Sequence, residues 1–232
     1  MIDWIAFDAD DTLWENEAYY YRAQETLYEI LKPFQPEAVV ETELLKTETQ
    51  NIPVYGYGLK SFGLSMIETA IRLSAGGIGI AEIQRILDML HEMVNTTVEV
   101  LPGVHETLQS LNGGVRMLVI TKGDLIDQER KLSQSGLAQY FEAFEIVSNK
   151  DETTYLRLLQ RYGIPIQRMV MVGNSLKSDV LPVVRLGGRG VLVPHHTTWA
   201  HEHVPVETAQ QHAYDVLERI TELPGLIQTM RE

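Results

Sequence analysis

Apolar positions along this chain change their period twice. The opening run Ile5-Ala6-Phe7 is short and unbroken, which predicts a buried strand. It ends in two carboxylates spaced i, i+2, Asp8 and Asp10. From Asn16 to about Asn95 the spacing is helical throughout. Ala18 to Leu31 predicts one helix, ending before Pro33; Pro36 begins a second, through Val39, Val40, Leu44 and Leu45. Val54-Tyr55-Gly56-Tyr57-Gly58 breaks it, Ser65 to Leu73 resumes up to Gly76-Gly77, and a last helix runs from Ala81 through Ile86 to Val94.

Beyond Leu101 the pattern alternates. Pro102-Gly103 opens a helix that stops at Gly113-Gly114, and Met117 to Ile120 reads as a buried strand. Leu125 to Ser135 is helical, Phe144 to Val147 strand-like, and Asp151 or Glu152 to Tyr162 helical with Gly163 after its end. Met169 to Val172 is a strand, Ser178 to Leu186 a helix closed by Gly187-Gly188, and Val191 to Val193 a strand stopped by Pro194. Alternation of this kind implies βαβ units and a parallel sheet covered on both faces. The expected fold is therefore α/β: a Rossmann-like parallel sheet core made of residues 1–14 and 99–232, interrupted by an α-helical insert, residues 15–98.

The chain has 232 residues, 44% of them hydrophobic, enough for a substantial core. Its 32 acidic and 19 basic residues give a net charge of -13, with Lys and Arg scattered. Nucleic acid and anionic membrane both call for a basic face, so neither is expected as a partner. Cysteine is absent, which excludes thiol catalysis, thiolate metal sites and disulfides. No run approaches the roughly 20 apolar residues of a membrane span, no secretory signal is visible, and the cytoplasm is the expected location.

Ligands of open parallel sheets sit beyond the carboxyl ends of the strands, where Asp8 and Asp10 should project. Two acids there can divide the work of nucleophile and general acid/base, or hold a hard cation such as Mg2+. The plainer reading is an acidic strand-to-helix turn with Asp11 or Thr12 capping the next helix. Downstream, His195, His196, His201 and His203 raise a metal hypothesis, but their spacing matches no zinc signature, and a structural or surface role is expected, with Trp199 among them as a packing anchor. Tyr19-Tyr20-Tyr21 is expected to be the packed face of the first inserted helix.

Asp8-Ala9-Asp10-Asp11-Thr12-Leu13 resembles the first motif of the haloacid dehalogenase-like (HAD) hydrolase superfamily, Asp-x-Asp-x-Thr/Val-Leu/Val. The element order matches that superfamily's members with a small α-helical cap after the first strand. The resemblance implies a Mg2+-dependent phosphatase that acts on a small phosphorylated metabolite through an aspartyl-phosphate. It implies Asp8 as nucleophile and Asp10 as general acid/base. Thr121 falls where the second motif places a hydroxyl for the phosphoryl group, the alternative being a residue that simply ends a strand. Lys150 falls where the third motif places its Lys, which would stabilise both the nucleophile and the phosphate oxygens.

Gly173-Asn174-Ser175-Leu176-Lys177-Ser178-Asp179 corresponds to the fourth motif, with Asp179 as its second acid and Asn174 where an Asp is usual. The implied metal ligands are Asp8, Asp10 through its carbonyl, and Asn174 or Asp179. Lys122 is a weaker candidate for substrate binding; with Asp124, a solvated pair is expected. Two enzymatic or binding alternatives stay open: a 2-haloacid dehalogenase, whose relatives lack the second Asp of the first motif and carry an amide near Asn174, and a non-catalytic binding relative. A receiver domain fits poorly, because no Asp precedes Lys150 on the third strand. Oligomeric state is not determined by these features.

Overall fold

The computed structural model describes residues 1–196, 202 and 204–231. The chain divides into two compact units. Met1–Glu15, Val98–Lys122 and Gln128–Glu232 form the first, and Asn16–Thr97 with Gly123–Asp127 form the second.

The first unit is built on a six-stranded parallel sheet: β1 (Trp4–Phe7), β2 (Arg116–Lys122), β3 (Ala143–Val147), β4 (Met169–Gly173), β5 (Arg189–Leu192) and β6 (Asp215–Val216). Its spatial order is β3-β2-β1-β4-β5-β6. The order reverses between β1 and β4, and a doubly wound sheet opens a crevice at that switch point, outside the strand ends. Phe7 is level with Val119 on one side and with Val172 on the other, so Asp8 emerges at the crevice.

Side chains on a strand alternate between faces. Ile5 and Phe7 join Met117, Val119, Val170, Val172 and Val191 in one apolar cluster, packed on Val104 and Leu108 of α5 (Val104–Leu111) and on Leu223 and Ile227 of α10 (Leu223–Arg231). Trp4 and Ala6 face the other way. They join Leu118, Ile120, Met169 and Met171 against Tyr155, Leu158 and Leu159 of α7 (Glu152–Tyr162) and Val183 of α8 (Leu181–Arg185). The remaining helices of this unit include most of α6 (Leu125–Ser135) and the short α9 (Val206–Ala209).

The second unit is helical: α1 (Glu17–Leu31), α2 (Glu37–Tyr55), α3 (Leu59–Leu73) and α4 (Ile80–Asn95). Their apolar stripes meet in a separate core that includes Ala23, Leu27, Leu31, Leu44, Phe62, Met66 and Ile86. Successive helical residues point about 100° apart, so three consecutive tyrosines cannot share a face. Tyr20 packs on Phe62 with ring centroids 4.8 Å apart, whereas Tyr21 is exposed. The expectation of one packed tyrosine face is corrected accordingly.

Other elements also differ from the sequence reading. α3 begins at Leu59, six residues before the expected Ser65, because the Gly58 carbonyl already accepts from the Phe62 amide. The helix expected over 178–186 is a π-helical turn, Leu176–Val180, followed by α8. β6 has two residues, too few to show a period, and α10 opens on Leu223-Pro224-Gly225, a turn signal that masks the helical spacing of Leu223, Leu226, Ile227 and Met230.

Candidate active site

β1 runs into a tight turn. The Thr12 and Leu13 amides both donate to the Ala9 carbonyl, and Asp10 bridges to Trp14. Asp11 takes a left-handed φ of 60°, a conformation that Asp tolerates better than most side chains. No helix starts here, so Asp11 and Thr12 are not capping residues. The turn instead aims Thr12 back at the strand end: its hydroxyl donates to Asp8 Oδ2 (3.2 Å) and lies 3.4 Å from Asn174 Oδ1.

Lys150 leaves the loop after β3. Asp151 anchors that loop by capping α7, accepting from the Thr154 amide (2.8 Å), and these hydrogen bonds hold its carboxyl below the ordinary range. The Lys150 ammonium is 1% exposed and donates to Asp8 Oδ1 and to Asp179 Oδ1 (2.7 Å). Asp179, also 1% exposed, sits on the π-helical turn, and its Oδ2 accepts from the Ser175 amide (3.0 Å). π-Helical turns recur at functional sites, and this one is secured twice. The Ser175 hydroxyl accepts from the Ser178 amide, and the Tyr155 hydroxyl donates to the Ser178 carbonyl. Gly173 makes the close approach possible, since a Cβ there would stand 2.2 Å from Asp179 Oδ2.

Two buried carboxylates thus share one ammonium. Burial and the charge of Asp8 raise Asp179 to about 7, against the opposing pull of Lys150. For Lys150, burial disfavours the charged form, but the charges of Asp179 and Asp8 outweigh it and hold the ammonium protonated. The structure therefore gathers Asp8, Thr12, Lys150, Asn174 and Asp179 around the end of β1. Thr121 is buried at the end of β2, two residues past the last β1–β2 pair, and its hydroxyl donates to the Lys122 carbonyl (3.2 Å).

Asp10 is held differently. Its Oδ1 accepts from Trp14 Nε1 (2.7 Å) and from Lys131 Nζ (3.0 Å), and its Oδ2 from Gln128 Nε2 (2.8 Å). Gln128 and Lys131 are buried on α6 one turn apart, and sequence reasoning missed both. A Lys on an amphipathic helix carries no mark that it turns inward.

Lys122 corrects another expectation. It is not solvated: its ammonium reaches Glu202 Oε1 (2.5 Å) and Ser178 Oγ (3.0 Å). Asp124 instead accepts from the Lys60 amide (2.9 Å). Glu202, also missed, further accepts from the Ser175 and Ser178 hydroxyls. Burial works against its ionisation, but Lys122 and the two hydroxyls hold its carboxyl down at about 2. His195 and His196 lie near Glu15, and His201, His203 and Trp199 fall outside the described residues.

The chain is 36% identical to a crystallised haloacid dehalogenase-like family hydrolase from Xanthomonas campestris, with a TM-score of 0.87 over 99% of this chain and 91% of that one. It is 25% identical to the pyrimidine 5'-nucleotidase YjjG of Escherichia coli K12, covering 80% of this chain and 83% of the relative. It is also 25% identical to a glyceraldehyde 3-phosphate phosphatase of Methanothermobacter thermautotrophicus, covering 88% and 91%. A family model for haloacid dehalogenase-like hydrolases matches residues 2–187, most of the sheet unit and all of the insert, and the chain belongs to that family.

Proposed function

We propose that this enzyme hydrolyses a small phosphate monoester by passing the phosphoryl group through Asp8. The observation that carries the reading is the buried Lys150 ammonium between Asp8 and Asp179 at the strand-order switch point. Lys150 holds the Asp8 carboxylate aimed, and its charge meets the phosphoryl oxygens as they approach. Thr12 orients the second Asp8 oxygen, and Thr121 offers a hydroxyl to the phosphoryl group.

Asp8 attacks phosphorus as the bond to the leaving oxygen breaks. Asp10, freed from its three donors, protonates that oxygen. It then takes a proton from the water that attacks phosphorus and breaks the aspartyl ester, releasing phosphate. Residues 15–98 act as the cap that excludes bulk water during turnover.

The donor chemistry fits Mg2+. Asp8, Asn174 and Asp179 offer hard oxygens, the donors that Mg2+ prefers. When bound, the ion neutralises phosphoryl charge and fixes the line of attack. Both the nucleotidase and the phosphatase relatives act on phosphate esters by name, which supports the substrate class. Asp10 favours phosphoryl transfer over dehalogenation, because an alkoxide leaving group needs a proton and a halide does not.

The test is turnover of p-nitrophenyl phosphate by the parent and by Asp8→Asn, with Mg2+ and with EDTA. Activity lost in both the variant and the chelated parent is expected. Activity surviving both refutes the mechanism, and halide release from chloroacetate by the parent would favour the dehalogenase.

A further inference from the structure

We infer that Glu15, His195 and His196 form a second metal site, separate from the Asp8 cluster and suited to Zn2+ or a similar borderline-soft transition metal. The ligand atoms of these three side chains lie within 4.8 Å of one another. Zn2+ holds nitrogen and oxygen at about 2.0–2.2 Å, so tetrahedral ligands stand about 3.4 Å apart. His195 Nε2 and Glu15 Oε2 are already 3.4 Å apart.

The His195 ring has a second carboxylate on its other edge. Its Nδ1 is 3.8 Å from Asp11 Oδ1, and a closure of under about 1 Å makes that a hydrogen bond. A carboxylate behind a ligating imidazole is the arrangement that fixes its tautomer and raises its basicity. His195 is 7% exposed at the side chain, which holds the ring in place, whereas His196 is exposed, with ring centroids 4.0 Å apart. The set is thus two imidazoles and a carboxylate with one open side, a donor mix that selects Zn2+, Co2+ or Ni2+ over Mg2+.

The ligands sit at landmarks of the chain. Glu15 is the last residue of the sheet unit before the helical insert, tied there by its amide to the Glu99 carbonyl (2.9 Å), and His195 follows β5. A bound ion would clip the point where the insert departs to the loop after β5.

The experiment is a Zn2+ titration of the full chain by calorimetry, after chelator treatment, with Co2+ absorption as a spectroscopic check. Parent, Asp8→Asn, Glu15→Gln and His196→Asn are compared. The expected result is one Zn2+ equivalent retained in Asp8→Asn and weakened at least about tenfold in Glu15→Gln and in His196→Asn. His196 is exposed and Glu15→Gln is near-isosteric, so both variants should fold, and circular dichroism confirms it. No binding below millimolar Zn2+, or binding indifferent to Glu15 and His196, overturns the site. Binding abolished by Asp8→Asn also overturns it, by placing the ion in the Asp8 cluster. Phosphatase activity plays no part in the readout, so failure here leaves the proposed reaction standing, and the converse holds.

Discussion

Replacing Lys150 by Met removes the cation from a buried trio while keeping most of the side-chain volume. Its ammonium contacts Asp8 and Asp179, and all three side chains are largely buried. Taking away one partner of a buried ion pair costs about 3–5 kcal/mol, because the remaining charge is left uncompensated. The pH dependence is the sharper signature. Asp179 has a folded value of about 7 against an unfolded value of 3.8, so between these values the folded state holds a proton that the unfolded state releases. Stability therefore falls as pH rises through that window, by about 1.4 kcal/mol per unit, and flattens above about pH 7. Without Lys150 the folded value climbs further and the fall continues upward. The stability gap between parent and variant should widen between pH 7 and pH 8.5, by up to about 2 kcal/mol. Urea denaturation in EDTA at pH 5, 7 and 8.5 measures it. A gap below about 1 kcal/mol, or one unchanged across those pH values, would refute the account of the trio.

Gly173→Ala should displace Asp179, whose Oδ2 lies 2.2 Å from the added Cβ, costing about 1–3 kcal/mol and at least tenfold in turnover; unchanged kcat would show that Asp179 placement is immaterial. Lys131→Met loosens the three-donor hold on Asp10 and should change kcat more than KM in steady-state assays, an effect confined to KM being contrary evidence. Glu202→Gln should destabilise the chain at pH 7. Its carboxyl is held at about 2 against 4.5 unfolded, so its contribution is full above about pH 4.5 and is lost as pH falls toward 2. Thermal melts of parent and variant should therefore converge at low pH, and equal melts at pH 7 would contradict the pairing with Lys122.

Most of the first unit's elements could be read from local patterning. Glu152–Tyr162 and Leu125–Ser135 match the expected limits, because helical spacing, the Asp151 cap and the Gly163 stop are all local signals. Burial on both faces makes a strand such as Met169–Gly173 a continuous apolar run. β6 has two residues, too few for any period to show. The π-helical turn was misread as ordinary helix because its sequence meets the same apolar spacing. What distinguishes it is the Val180 amide reaching back five residues to the Ser175 carbonyl (3.3 Å), with Asp179 folded over Gly173.

The site divides along the same line. Asp8, Asp10, Lys150 and Asp179 each follow a strand or open a turn, positions that local sequence reveals. Their partners do not announce themselves. Lys131 and Gln128 meet Asp10 across 121 and 118 residues, and Glu202 meets Lys122 across 80. Whether a polar side chain points at solvent or into a carboxylate depends on which strands become neighbours. Periodicity, set by backbone geometry over a few residues, determined the elements and the ends that carry the acids. The order β3-β2-β1-β4-β5-β6 alone decided which distant groups share their charge.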